Sequence, residues 1–230
     1  MDRPRLNGRN EIPTPPDFTP ELPAPVPRQP AHSRTTQFLG FQREDGLWDV
    51  EAQMLDTKPF DFEYGIEAPL PAHVPLHRML IRITFDAQLT VVDIVSAMAD
   101  HPHGHCTSAD RHMRRMIGSS MAKGWRKSIE EHLGKVEGCT HMRELLFNMA
   151  TVAFQTIAPH NIAHYERLRQ QGTMLQIPPH LGQCHAFDLS GPVVERLYPM
   201  FFQPQASPSA RDGNPESQKA ASPSGMPPHA

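Results

Sequence analysis

The chain is poor in the features that most readily betray a function. Three cysteines, Cys106, Cys139 and Cys184, stand among 230 residues. No two are spaced as a CxxC pair, which excludes a ribbon-type zinc site and a thioredoxin-like redox motif. No GxSxG, P-loop or GxGxxG run is present, so the commonest hydrolase and nucleotide-binding readings fall away. No stretch approaches the roughly eighteen apolar residues of a membrane span, and MDRPRLNGRNEIPTPP at the start lacks the apolar segment of a signal peptide. There is no basic excess either: 22 Lys and Arg face 25 Asp and Glu with the signs interspersed, leaving no stripe to neutralise phosphates. The expectation is a cytoplasmic protein that binds neither nucleic acid nor membrane, whose odd set of thiols is free or ligates metal.

Proline is plentiful but uneven, with nine of the 25 inside the first thirty residues. Residues 1–32 and 203–230 are too polar and too Pro-, Ser- and Ala-rich to offset their ordering entropy. They are expected to be disordered tails, free to recruit a protein partner. A single domain is expected over 33–202, about 170 residues, enough for one sizeable core.

Within that domain, residues 47–55 (LWDVEAQML) alternate strictly, with Trp48, Val50, Ala52 and Met54 on one side and Asp49, Glu51 and Gln53 on the other. This predicts a half-buried antiparallel strand. Residues 36–42 offer a partner across the polar turn 43–46. A second pair, 79–85 and 89–94, is joined by 86–88. After Cys106 the period becomes helical: helices are predicted over 108–121, over 124–133 with Gly134 as its C-cap, over 140–157 with Pro159 closing it, and from Pro192. Strands first and helices afterwards predict an α+β fold, an antiparallel sheet with helices packed on one face.

Fourteen histidines and the three cysteines are the group that stands out. His101, His103 and His105 in DHPHGHC have the look of a metal tract, although alternating histidines in a Gly/Pro loop are more simply solvated. Cys139 opens the strongest helix, where backbone N–H groups and the helix dipole favour a thiolate, the form that ligates metal or attacks an electrophile. Cys106 sits where sheet gives way to helices, and Cys184 beside His185 in a later loop. A thiol enzyme with His141 as base for Cys139 is disfavoured, because residues two apart on a helix point in different directions. Among carboxylates that could act as general bases, Asp49, Glu51, Asp56, Asp61 and Glu144 each read first as the polar side of their element. Trp48 and Trp125 read as core.

The segments REDGLWDVEAQMLDTKPFDF (43–62), PLHRMLIRITFD (75–86), GCTHMRELL (138–146), ATVAFQTI (150–157) and CHAFDLSGPVV (184–194) resemble the bacterial domain-of-unknown-function family 2889. The resemblance implies that His77, Cys106, Cys139, His141 and Cys184 are pattern residues, and a setting among aromatic-compound catabolism. The order of strand, Cys-headed helix and second Cys-headed helix is also similar to iron–sulfur scaffold proteins of the NifU/IscU type, a SufE/NifU-like layout. That layout implies loops bearing His77, Cys106 and Cys139 converging at one end of the sheet, although the scaffold's first cysteine and its His-Cys pair are absent.

Together these readings predict a Zn or Fe ion held by His77, Cys106, Cys139 and His141, with an open position that polarises a carbonyl or activates water. Glu144 or Asp49 would be the base. The reaction expected is lyase- or hydrolase-like on a small aromatic or carboxylated substrate. The alternative is a metal or Fe–S carrier that delivers its cargo to a partner protein.

Overall fold

The computed structural model describes residues 24–172, 177–178 and 180–204. Most of both predicted tails, 1–23 and 205–230, lies outside the described residues. The chain divides into two compact units, one ending at Ala153 and the other beginning at Phe154.

The first unit is built on four strands, β1 (Ser33–Gln42), β2 (Trp48–Thr57), β3 (Pro75–Phe85) and β4 (Val91–Asp100). They form an antiparallel sheet in the order β1-β2-β3-β4. All four predicted strands are present, and each extends further than the pattern suggested. The first hairpin turns where expected, with Gly46 at φ 90°, a left-handed conformation that glycine adopts without strain.

The alternation in β2 translates directly into burial. Trp48, Val50, Ala52 and Met54 are buried, as are Met79, Ile81, Ile83 and Phe85 opposite them on β3 and Val91, Ile94 and Met98 on β4. The other face carries Glu51, Gln53, Leu80, Arg82 and Val95, which the burial pattern leaves half-buried to exposed. Fully burying residues of this size contributes roughly 1.5–3 kcal/mol each, which is what holds one face against the helices.

Those helices are α1 (Trp125–Leu133) and the first part of α2 (Thr140–Gln170). Trp125, Ile129 and Leu133 form the buried side of α1, and Met142, Leu145, Leu146 and Met149 that of α2. The Trp125 indole N–H donates to the Leu146 carbonyl at 2.7 Å and ties the two together. The molecule is therefore α+β.

Three details differ from the expectation. Residues 104–116 form a 3-10 helix, Gly104–Met116, in place of the α-helix predicted over 108–121. Gly134 does end α1, yet its φ is −70° and it is Lys135 that takes the left-handed turn at 53°. Glycine is needed there for space, since a Cβ would stand 2.2 Å from the Glu130 carbonyl oxygen. Finally, α2 runs through Pro159 to Gln170; the proline costs it the N–H that would bond the Gln155 carbonyl, and does not stop it.

In the second unit, α3 (Pro192–Leu197) starts at Pro192 as predicted. His180 lies in an aromatic cluster with Phe154, Phe187 and Tyr198, ring centroids 4.9–5.8 Å away.

Candidate metal centre

The antiparallel register sets three polar side chains in one row at one end of the sheet: Arg34 pairs with Asp56, and Asp56 with His77. Counting by twos from the buried positions of β2 and β3 puts Asp56 and His77 on the inner face. Asp56 is 1% exposed, a buried carboxylate that requires compensation. It has abundant compensation. Arg34 grips it with two bonds, Nε to Oδ1 at 2.7 Å and Nη2 to Oδ2 at 2.8 Å, and its remaining Nη1 donates to Glu144 Oε2 at 2.6 Å. His77 Nδ1 stands 3.0 Å from Asp56 Oδ2 and His32 Nε2 3.3 Å from Oδ1.

The N-terminus of α2 closes over this row. Its first turn places His141 Nε2 3.9 Å from Asp56 Oδ2, and the His77 and His141 rings lie 4.0 Å apart between centroids. Cys139 precedes the helix: its carbonyl accepts the Arg143 N–H at 3.0 Å, the mark of an N-cap. The first-turn N–H groups of Met142 and His141 favour the thiolate form of its sulfur. The sulfur also lies 3.7 Å from His141 Nδ1. The objection that residues 139 and 141 point apart is thereby corrected. It assumed both were helical, whereas Cys139 stands before the helix as its N-cap and its sulfur reaches back to the His141 ring.

These contacts shift each group's pKa. Burial pushes the Asp56 carboxyl up, but the hydrogen bond and charge of Arg34, with His77 adding to them, hold it below the usual carboxylate range. Burial and the neighbouring His141 lower His77, which favours the neutral ring, the form with a lone pair to share. Cys139 is lowered: burial raises the thiol, but the His141 hydrogen bond and the helix N–H groups outweigh it. His141 is raised, by that bond to Cys139 foremost.

Asp56, His77 and His141 each offer a ligand atom, all within 4.8 Å of one another. With metal–ligand bonds of about 2.1 Å, neighbouring ligand atoms stand roughly 3.0 Å apart in an octahedron and roughly 3.4 Å in a tetrahedron. The 3.0 Å from His77 Nδ1 and the 3.9 Å from His141 Nε2 to Asp56 Oδ2 lie near those values, and no two ligand atoms of the three are more than 4.8 Å apart. Two imidazoles and a carboxylate form a nitrogen/oxygen set that suits zinc or ferrous iron. The group can hold a metal ion.

The predicted site residues fare differently. His77, His141 and Cys139 meet, Cys139 through the far nitrogen of His141. Glu144 joins the same network through Arg34. Cys106 is half-buried in the 3-10 helix and is not one of the three convergent ligands. Asp49 is placed elsewhere, which corrects its expected role: seven residues from Asp56 along β2, roughly 23 Å at the strand rise, and on the opposite face. There it accepts the Thr84 hydroxyl at 2.6 Å and faces Arg43. Cys184 is exposed and, with His185, belongs to the second unit. Sequence reasoning named Asp56 as a possible general base read first as the polar side of its element, and not as a metal ligand. The signal was present, because Asp56 continues the buried series 48, 50, 52, 54. His32 and Arg34 carried no such signal, as they lie at the edge of an expected tail.

No helix of the described residues is long and apolar enough to cross a membrane. No curated protein and no solved structure matches the chain. The layout likeness to iron–sulfur scaffolds therefore has no support beyond its pattern. A family model described as a protein of unknown function, DUF2889, matches residues 32–155, the stretch that holds the whole sheet and every member of the Asp56 network. The chain belongs to that family.

Proposed function

We propose that the protein is a metal-dependent enzyme in which Asp56, His77 and His141 hold a zinc or iron ion and leave coordination positions open. The observation that carries this reading is the convergence of those three side chains from β2, β3 and α2 around a carboxylate that is 1% exposed. Cys139 acts one shell out, accepting the Nδ1–H of His141 and so fixing which ring nitrogen faces the ion. A metal bound there would supply Lewis-acid polarisation of a carbonyl or an activated water, chemistry of the lyase or hydrolase kind on a small aromatic or carboxylated molecule. Glu144, one guanidinium away from Asp56, is the candidate base.

A second reading, a carrier that passes its metal to a partner protein, draws on the accessibility of His141, whose side chain is 24% exposed. The two differ in whether bound metal leaves for a protein acceptor or stays through turnover.

The first test is metal content after anaerobic purification without chelator, measured by mass spectrometry. About one equivalent is expected in the parent and in Cys106→Ala, with loss in His77→Ala and His141→Ala. Cys139→Ser should keep metal but bind it about 10–100-fold more weakly. Equal metal in parent, His77→Ala and His141→Ala would overturn the assignment.

A further inference from the structure

A second cleft lies beside the long connection between β2 and β3. Residues 58–74 form a built loop: Phe62 and Leu70 exchange backbone hydrogen bonds at 2.8 and 2.9 Å, the His73 N–H reaches the Lys58 carbonyl at 2.7 Å, and Asp61 accepts the Ala72 N–H at 2.9 Å. Glu67 fastens this loop to the turn after β4. Its N–H donates to the Pro102 carbonyl at 3.2 Å and its Oε1 accepts the Gly104 N–H at 3.0 Å. Between loop and turn is a cleft of about 250 Å³, walled by Ile66, Leu70, Pro75, Leu76 and Pro102, with Glu67 and His101 as its polar groups. His101 Nδ1 has no hydrogen-bond partner and is closed to solvent as the ring stands, so a rotation of the imidazole about its Cβ–Cγ bond is what would offer it to a bound polar group.

Apolar walls with a few placed polar groups are the general form of a small-molecule site, and the three prolines Pro69, Pro75 and Pro102 in the lining keep it preformed. The size sets the occupant: an apolar cavity of about 150 Å³ accepts benzene, so this one takes a single ring with a small substituent. The charge sets its chemistry. Glu67 is an acceptor and repels anions, while the histidine ring can accept or donate.

We infer that this cleft binds a small neutral ring carrying a hydroxyl, with the ring against Ile66, Leu70 and Leu76 and the hydroxyl at the Glu67–His101 end. The inference is independent of the metal centre, since none of the three convergent ligands lines the cleft.

Phenol and benzoate are the probes, titrated against the full-length protein by ligand-observed NMR. Phenol should bind saturably with a dissociation constant on the order of 1 mM, as befits so small a ligand, and benzoate at least about tenfold more weakly. Leu70→Trp and Ile66→Trp fill the cleft from different sides. Each should abolish phenol binding while the amide spectrum and metal content stay those of the parent. Glu67→Gln should narrow the gap between the two probes. Failure of phenol to saturate, binding that survives in a folded Leu70→Trp or Ile66→Trp protein, or benzoate bound as tightly as phenol would overturn the inference.

Discussion

At the scale of single residues, Asp56 carries most of the molecule's electrostatic risk. It is buried among Arg34, His32, His77 and His141, and its value lies in being paired on every side. Removing one member of a buried ion pair costs about 3–5 kcal/mol; with Arg34 a third exposed, Asp56→Ala should cost about 3 kcal/mol in chemical denaturation. Asp49→Asn, on the outer face, should leave metal content unchanged. His180 gives a pH-dependent prediction for the second unit. Burial lowers its pKa below 6.5, so the unfolded chain takes up a proton before the folded one does. Its contribution is level above pH 6.5 and falls as the pH drops toward the native value. His180→Gln should flatten that part of a stability-versus-pH curve, and an unchanged slope would show the ring to be uninvolved. Of these residues, Cys139 and its neighbour His141 were legible from type and position, and His77 from the family resemblance. Asp56 was read as the polar side of its element, one residue past the predicted strand, and its burial appears only because β2 runs on to Thr57. The pairing of Cys139 with His141 was not legible, because it depends on the backbone turning at one N-cap.

At the scale of elements, strands were read more surely than helices because the period-2 pattern of β2 has one explanation, whereas Pro159 allowed two. A proline ends a helix when the following residues have somewhere better to go; in α2, residues 160–170 remain helical past it. Pro159→Ala restores the missing N–H donor and should stabilise that stretch by up to about 3 kcal/mol, visible as slower amide exchange beyond residue 155. The contact between α1 and α2 rests on Trp125, which is 5% exposed. Trp125→Phe forfeits its hydrogen bond to Leu146 and should lower stability by about 1–2 kcal/mol on that account, measured as a shift in the denaturant midpoint.

At the scale of the whole molecule, the family match over 32–155 and the compact unit ending at Ala153 nearly coincide. The metal row, its Arg34 brace and Cys139 all fall inside both. A chain ended after residue 158 should therefore keep its strand signal in circular dichroism and the same metal equivalent as the parent. Loss of metal from a folded truncated chain would show that the second unit completes the site.

The sequence by itself determined the order of elements and the buried face of β2, because alternation and helical period are local properties of the chain. It also marked Cys139, with His141 beside it, by type and place at a helix start, whereas His77 was marked only by the resemblance to the family. Which of these meet was decided by tertiary structure. Register placed Arg34, Asp56 and His77 side by side although they come from residues up to 43 apart, and the docking of α2 brought His141 over them. A ligand set depends on distances of a few ångströms between side chains remote in sequence, and such distances exist only once the sheet has paired and the helix has packed.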